Sequence, residues 1–586
     1  MHPPAPVRRT SPFVAHRKVT RPAITVNLPD AQVEVPSHTT IIDVLAKHYD
    51  DDEQHLVACT MDNLLTSLSQ LVTHPCTIVP VFLNSELGTR IYRATAMFGL
   101  AAVSESLFPN RRLVVSHSVS EALYYFYGDE DEVSVDDVES LNLTLMELVQ
   151  ANFPIVQETM SHAHSVSAFR AARRNQTVLL LQQLNEPFVK VNRILNKGPN
   201  PVVNPLYMDL VYFDTCLAAS TGIIQSFSVE KYRNGLLLRF PTKGTLELAP
   251  FEDNLPLFNI YQEYNTWGHV LGVSSVGHLN QKVVANQNRD FIMTSEALHD
   301  AKIAKIADSI STQFAATGGI VLLAGPSSSG KTTMSMRLGI ALRALGKKVV
   351  ICSLDSFYLP RLETPLDEEG RFDFESVHAL DLNLLKTTLV SLLNEKQAFL
   401  PSFDFKSGLR IEASHKVHLE DNGVLILEGL HALNPLLTED IDIGPSRIFK
   451  IFISPLCQLN VDDHNRISTS DTRLCRRLLR DFKYRGNTAH KTFELWPAVV
   501  RGEQKWIYKY QDTADAFFNS ALDYEFAVLS SLVQPLLRSI PPDSEWYSEA
   551  RRLIAFLSVF YSIDTTFVPP TSILREFIGN SWFEYE

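Results

Sequence analysis

The chain has 586 residues, more than one hydrophobic core organises, so about three or four domains are expected. Its 45% hydrophobic and 20% charged residues are ordinary for a globular protein, and no apolar run approaches the length of a membrane span. A net charge of -13 with pI near 5.8 argues against a surface built for broad nucleic-acid binding, and six scattered cysteines without a Cys-x-x-Cys spacing offer neither a disulfide framework nor a cysteine zinc site and fit a reducing, cytoplasmic compartment.

Arg8, Arg9, Arg17, Lys18 and Arg21 precede the first acid, Asp30, as in an organelle transit peptide. Pro3, Pro4 and Pro6 interrupt any amphipathic helix there, so residues 1–21 read as a disordered tail. Residues 23–35 alternate apolar and polar around Leu28-Pro29-Asp30-Ala31, which predicts a hairpin. Thr39 or Thr40 caps a helix through Leu45, and strands are expected near 55–59 and 77–83. This order over residues 22–87 resembles the ubiquitin-like β-grasp TGS domain of threonyl-tRNA synthetases.

Residues 90–107 read as a helix, 112–116 as a strand and 196–205 as a surface loop rich in Gly, Asn and Pro. With Ser220-Thr221-Gly222 and Gly235-Leu236-Leu237-Leu238-Arg239 beyond, residues 88–285 resemble the α+β second additional (editing) domain of threonyl- and alanyl-tRNA synthetases. That domain carries two histidines on its first helix and a later Cys/His pair, which can bind zinc. Here Arg93 to Phe98 supply no histidine, and the later pair falls on Phe213 and Leu217, so no zinc and no tRNA editing are expected. His117, His162 and His164 are the candidate substitutes.

After a helix near 295–314, strands separated by helices predict a doubly wound parallel α/β unit over residues 286–545, with strands at 320–324, 348–354, 423–428, 448–453 and 525–529. Residues 546–586 form a C-terminal extension. The strand at 320–324 runs into Gly325-Pro326-Ser327-Ser328-Ser329-Gly330-Lys331-Thr332-Thr333 and a helix to about residue 345, a phosphate loop in its required setting. Glycine lets backbone amides converge on a polyphosphate, and the helix adds its positive end. Lys331 is expected to reach the β- and γ-phosphates and Thr332 to ligate magnesium.

Two further strands end in Leu354-Asp355-Ser356-Phe357-Tyr358 and Leu427-Glu428-Gly429, placing carboxylates at the sheet edge that carries the loop. Asp355 suits proton abstraction or metal binding, and Glu428 suits metal binding. On the predicted helix 471–481, Arg473, Arg476, Arg477 and Arg480 form a stripe at helical spacing. On a mobile lid such a stripe closes over transferring phosphates.

These motifs, with Phe372-Asp373-Phe374 and Arg485-Gly486, resemble the uridine kinase and phosphoribulokinase relatives. The whole order resembles multidomain uridine-kinase-like proteins with TGS and synthetase-type domains ahead of the kinase. The resemblance implies an ATP- and magnesium-dependent kinase of a nucleoside-like or sugar-like hydroxyl, with Asp355 as base, Asp373 on the ribose hydroxyls, and Tyr358, Phe372, Phe403 and Arg410 on the acceptor side.

One departure matters. Uridine kinases carry Tyr-Asp-Phe followed three residues on by histidine, where this chain has Phe403-Asp404-Phe405 and Gly408. Uridine is therefore expected to be a poor substrate, and Phe403→Tyr with Gly408→His to improve its use if the pocket is otherwise preserved. The rival reading is an RNA- or ribosome-associated protein whose phosphate loop acts as a switch. The acidic charge makes nucleic acid an unfavoured partner, no membrane is involved, and homo-oligomerisation stays open.

Overall fold

The computed structural model describes residues 22–49, 55–128, 132–196, 201–242, 245–315, 318–368, 370–404 and 407–585. The N-terminal tail, Phe405 and Lys406 lie outside them. Alternating burial pairs Ala23–Asn27 antiparallel with Gln32–Pro36, the expected hairpin. The Thr40 side chain accepts from the Asp43 amide and starts the helix Ile41–Leu45. In the resulting five-stranded mixed sheet, Ala23–Asn27 lies parallel to Cys76–Phe82, which pairs in turn with Leu56–Met61.

Ser85 caps the long helix Glu86–Leu107, whose buried face lies against a four-stranded antiparallel sheet. Its strands run in the order Ser228–Tyr232, Gly235–Arg239, Ala122–Tyr127, Leu113–Val119.

The C-terminal half is built on five parallel strands in the order Val349–Ser353, Val424–Gly429, Gly319–Ala324, Ile448–Ser454, Ala516–Asn519. All six residues of Gly319–Ala324 and of Val424–Gly429 are buried, as strands covered on both faces must be, and both therefore read as continuous apolar runs. The fifth strand corrects the sequence reading. Residues 525–529 open the helix Glu525–Leu537, and the sheet is completed by Ala516–Asn519. A short apolar run such as Phe526-Ala527-Val528-Leu529 has the same composition in a buried helix as in a buried strand, so periodicity does not separate them.

Leu553, Phe556 and Leu557, on the helix Tyr547–Ser558, share one core with Val321 and Ile451 of the sheet and with Val276 and Leu279 from before it. Arg552 binds both Asp471 and Glu549, and Glu549 also pairs with Arg90, linking the helix Thr469–Arg480 to the N-terminal half. No helix among the described residues is long and apolar enough to cross a membrane.

Candidate active site

Parallel register brings three strand ends to one edge. Glu428 lies opposite Ser353 on one side and Leu323 on the other, so Asp355, two residues past Ser353, and the loop after Ala324 meet there. The loop's shape depends on its backbone. Gly330 sits at φ +88°, in the left-handed region, and a Cβ on Gly325 would lie 2.1 Å from the Ile453 carbonyl. Ser328 also takes a positive φ.

Lys331 opens the helix Lys331–Ala344 and donates from Nζ to the Pro326 carbonyl at 3.1 Å. Among the described residues, the amides of Gly330, Lys331 and Thr332 have no protein acceptor. Such orphan donors at a helix start fit a polyphosphate. Thr332 Oγ1 donates to Glu428 Oε1 at 3.3 Å. Burial, reinforced by the adjacent Asp355 carboxylate, pushes the Glu428 carboxyl up to about 7. Burial also lowers the Lys331 ammonium, opposed by Glu428 and Asp355. A hydroxyl and two crowded carboxylates are hard oxygen donors whose repulsion a divalent cation relieves, so they fit magnesium.

The arginine stripe differs from the expected lid. The helix Thr469–Arg480 is built into the interior, and its four arginines divide into two pairs. Arg476, fully buried, donates to Glu525 Oε2 at 2.7 Å and to the Ser520 carbonyl at 2.8 Å. Arg473 donates to the Ser327 carbonyl at 2.9 Å and pairs with Glu503. These two are spent on holding the loop. Arg477 and Arg480 instead reach the Ser327 hydroxyl, at 2.9 and 3.1 Å, and lie against the buried Asp481 carboxylate, at 3.2 and 3.9 Å. Burial and the neighbouring Arg485 lower the Arg480 guanidinium to about 10, a sign of crowded positive charge.

On the acceptor side, Tyr358 donates to the Phe374 carbonyl at 3.3 Å and its ring lies 5.8 Å from that of Phe403. The Phe372 and Phe374 rings are 6.0 Å apart, and Asp373 Oδ1 accepts from the Glu375 amide. Arg410 stands opposite Phe403 on the hairpin of Gln397–Asp404 and Leu409–His418, where its guanidinium is engaged by Asp381 and Glu412. Gly408 sits at φ +71°, and a Cβ there would lie 3.0 Å from Arg361 Nε. Histidine at 408 is therefore strained, so Gly408→His does not leave the pocket otherwise preserved.

Sequence reasoning missed several groups. Glu503 Oε1 accepts from the Ser327 amide at 2.8 Å, and Ser520 donates to the Ser329 carbonyl at 2.5 Å. Glu375 Oε2 is buried beside this edge without a hydrogen-bond partner among the described residues, and His431 is buried next to it. No local motif marks Glu503 and Ser520, because each meets the loop through long-range packing.

The Phosphoribulokinase / Uridine kinase family matches residues 320–526. A uridine kinase from Ligilactobacillus salivarius is 30% identical over 183 residues, covering 31% of this chain and 75% of that protein. A uridine kinase from Lactobacillus helveticus is 28% identical over 182 residues, 31% of this chain and 76% of that protein. A threonine–tRNA ligase from Syntrophotalea carbinolica is 29% identical over 173 residues, 29% of this chain, and the match spans only 27% of the ligase.

Proposed function

Because the chain belongs to the phosphoribulokinase/uridine kinase family, we propose that it transfers the terminal phosphoryl group of ATP to a hydroxyl of a nucleoside-like or sugar-like small molecule. The observation that carries this reading is the meeting of a phosphate loop, Asp355 and Glu428 at one sheet edge. In this reading Lys331 and the loop amides hold the phosphates, and Asp355 accepts the proton of the attacking hydroxyl. Magnesium, held by Thr332 and Glu428 with Asp355 beside them, neutralises phosphate charge when bound. Arg477 and Arg480 stabilise the charge developing on the transferred group, while Arg473 and Arg476 keep the loop in shape. Tyr358, Phe372, Asp373 and Phe403 border the acceptor, with Arg410 steadying the hairpin behind them.

Residues 286–545 are the kinase unit in this reading, followed by the extension 546–586. Residues 22–87 are a TGS-like β-grasp domain, and 88–285 a synthetase-type domain that serves packing or partner binding. Supporting that role, Phe213 packs edge-on against Phe556 at 5.2 Å, Leu217 is buried, and Arg93 pairs with Glu121. The protein acts in the cytoplasm, where its six buried free cysteines stay reduced.

The test is a screen of nucleosides and sugars for acceleration of ATP consumption by the purified full chain. At least one such hydroxyl compound is expected to accelerate it, with uridine poor. ATP turnover indifferent to every compound would sink the kinase reading.

A further inference from the structure

The chain returns to the phosphate loop after the helix Tyr547–Ser558. Ile573, Leu574 and Phe577 are fully buried there, and Phe577 lies under the Arg476 guanidinium at 5.2 Å. Arg575 clamps the turn by donating to the carbonyls of Thr565, Val568 and Gly579. This anchored turn delivers Glu576 to the start of the loop helix. Glu576 Oε2 accepts from the Thr333 amide at 3.2 Å and from Thr333 Oγ1 at 2.8 Å. Tyr585 joins the same hydroxyl at 3.1 Å. Ile573 closes the adjoining side, where a Cβ on Gly330 would lie 2.4 Å from its Cγ2.

The Thr333 amide is one of the donors at the positive end of the helix Lys331–Ala344, next to the amides of Lys331 and Thr332, which have no acceptor among the described residues. A polyphosphate lying on those amides meets the Glu576 carboxylate as a like charge competing for the same donor. Beyond the anchored turn the Trp582 amide and the Ser581 hydroxyl donate to the Pro570 carbonyl, at 3.0 and 3.3 Å, and Tyr585 donates to the Ser581 hydroxyl at 3.0 Å. Gly579 and Asn580 both take positive φ, at +84° and +55°, and Trp582 past them is 77% exposed.

We propose that Glu576 gates the nucleotide site. In the nucleotide-free protein its carboxylate holds the Thr333 amide and hydroxyl, and it turns away, with Tyr585 and the residues after Gly579, when a nucleotide phosphate takes those donors. Residues 573–578 stay in place as a wall of the site. The gate rests on the nucleotide-binding reading of the phosphate loop, and the experiment separates the two.

Magnesium-ATP binding is measured by calorimetry on the full-length wild type, Glu576→Gln and Lys331→Ala, with thermal melts confirming folding. Hydrogen exchange over residues 579–585 is followed with and without ATP in the wild type. The amide keeps the shape and removes the charge, so Glu576→Gln is expected to bind ATP roughly tenfold more tightly, the worth of one charge-assisted hydrogen bond. Lys331→Ala is expected to bind poorly, and ATP to speed exchange at 579–585 in the wild type. Binding by the wild type at an affinity equal to or above that of Glu576→Gln, or exchange at 579–585 unchanged by bound ATP, overturns the gate and leaves the nucleotide site standing. Failure of both the wild type and Glu576→Gln to bind ATP overturns the nucleotide reading and the gate with it. If Glu576→Gln does not fold, exchange in the wild type decides alone.

Discussion

Arg476→Met separates a structural staple from a phosphate lid. The substitution keeps an apolar stem over Phe577 but removes the partner of Glu525, whose carboxylate is fully buried beside it. Breaking one side of a buried ion pair costs about 3–5 kcal/mol. The stranded carboxyl limits that cost by taking up a proton. From an ordinary value near 4.3, protonation at pH 7 costs about 3.7 kcal/mol and at pH 5 about 1 kcal/mol, at about 1.4 kcal/mol per unit. Burial already raises the Glu525 carboxyl in the wild type and loss of Arg476 raises it further, so the variant's stability falls more steeply as pH rises from 5 to 7. The expected loss is therefore about 4 kcal/mol at pH 7, shrinking to about 1–2 kcal/mol at pH 5. Adding Glu525→Gln should recover much of the loss at pH 7. Urea denaturation at the two pH values reads this as a shift in midpoint at constant slope. A loss below about 1 kcal/mol at pH 7, or one independent of pH, would refute the staple.

Lys331→Ala should abolish phosphoryl transfer with a nearly unchanged melting temperature, since among the described residues the ammonium's one hydrogen bond is to Pro326; unchanged turnover would remove the loop from the mechanism. Asp355→Asn should retain ATP binding while slowing transfer by about 10²- to 10⁴-fold in single-turnover kinetics; loss of ATP affinity alone would make Asp355 a metal ligand and not the base. Burial, against the pull of Arg477, pushes the Glu375 carboxyl up to about 7, and its Oε2 has no hydrogen-bond partner among the described residues. A raised carboxyl binds more protons folded than unfolded, so its burden appears as pH rises from about 4.5 through 7. Glu375→Gln should then raise stability by at most about 3 kcal/mol at pH 8 and by much less at pH 5, and equal melting shifts at both would contradict it.

The strand–loop–helix at residues 319–344 was legible in the chain because its requirements are local: an apolar run, glycines at set spacing and a helix start within a dozen residues. Asp355 and Glu428 were legible for a related reason. Each closes an apolar run, and in a parallel sheet such runs end at the same edge. The helix Glu525–Leu537 was not legible, since its first turn, buried all round, carries no periodicity to distinguish it from a strand. Nor was the division of the arginines. Spacing puts Arg473, Arg476, Arg477 and Arg480 on one helix and Asp481 four residues after Arg477, but only packing sets Glu525 and Glu503 against two of them and the Ser327 hydroxyl against the others. Glu503 and Glu576 meet the loop across 176 and 243 residues of chain. Local patterning determines which segments are strand, loop and helix. The pairing of buried charges is decided by the tertiary fold, because a carboxylate's partner is whatever the core brings within hydrogen-bond reach when water is excluded.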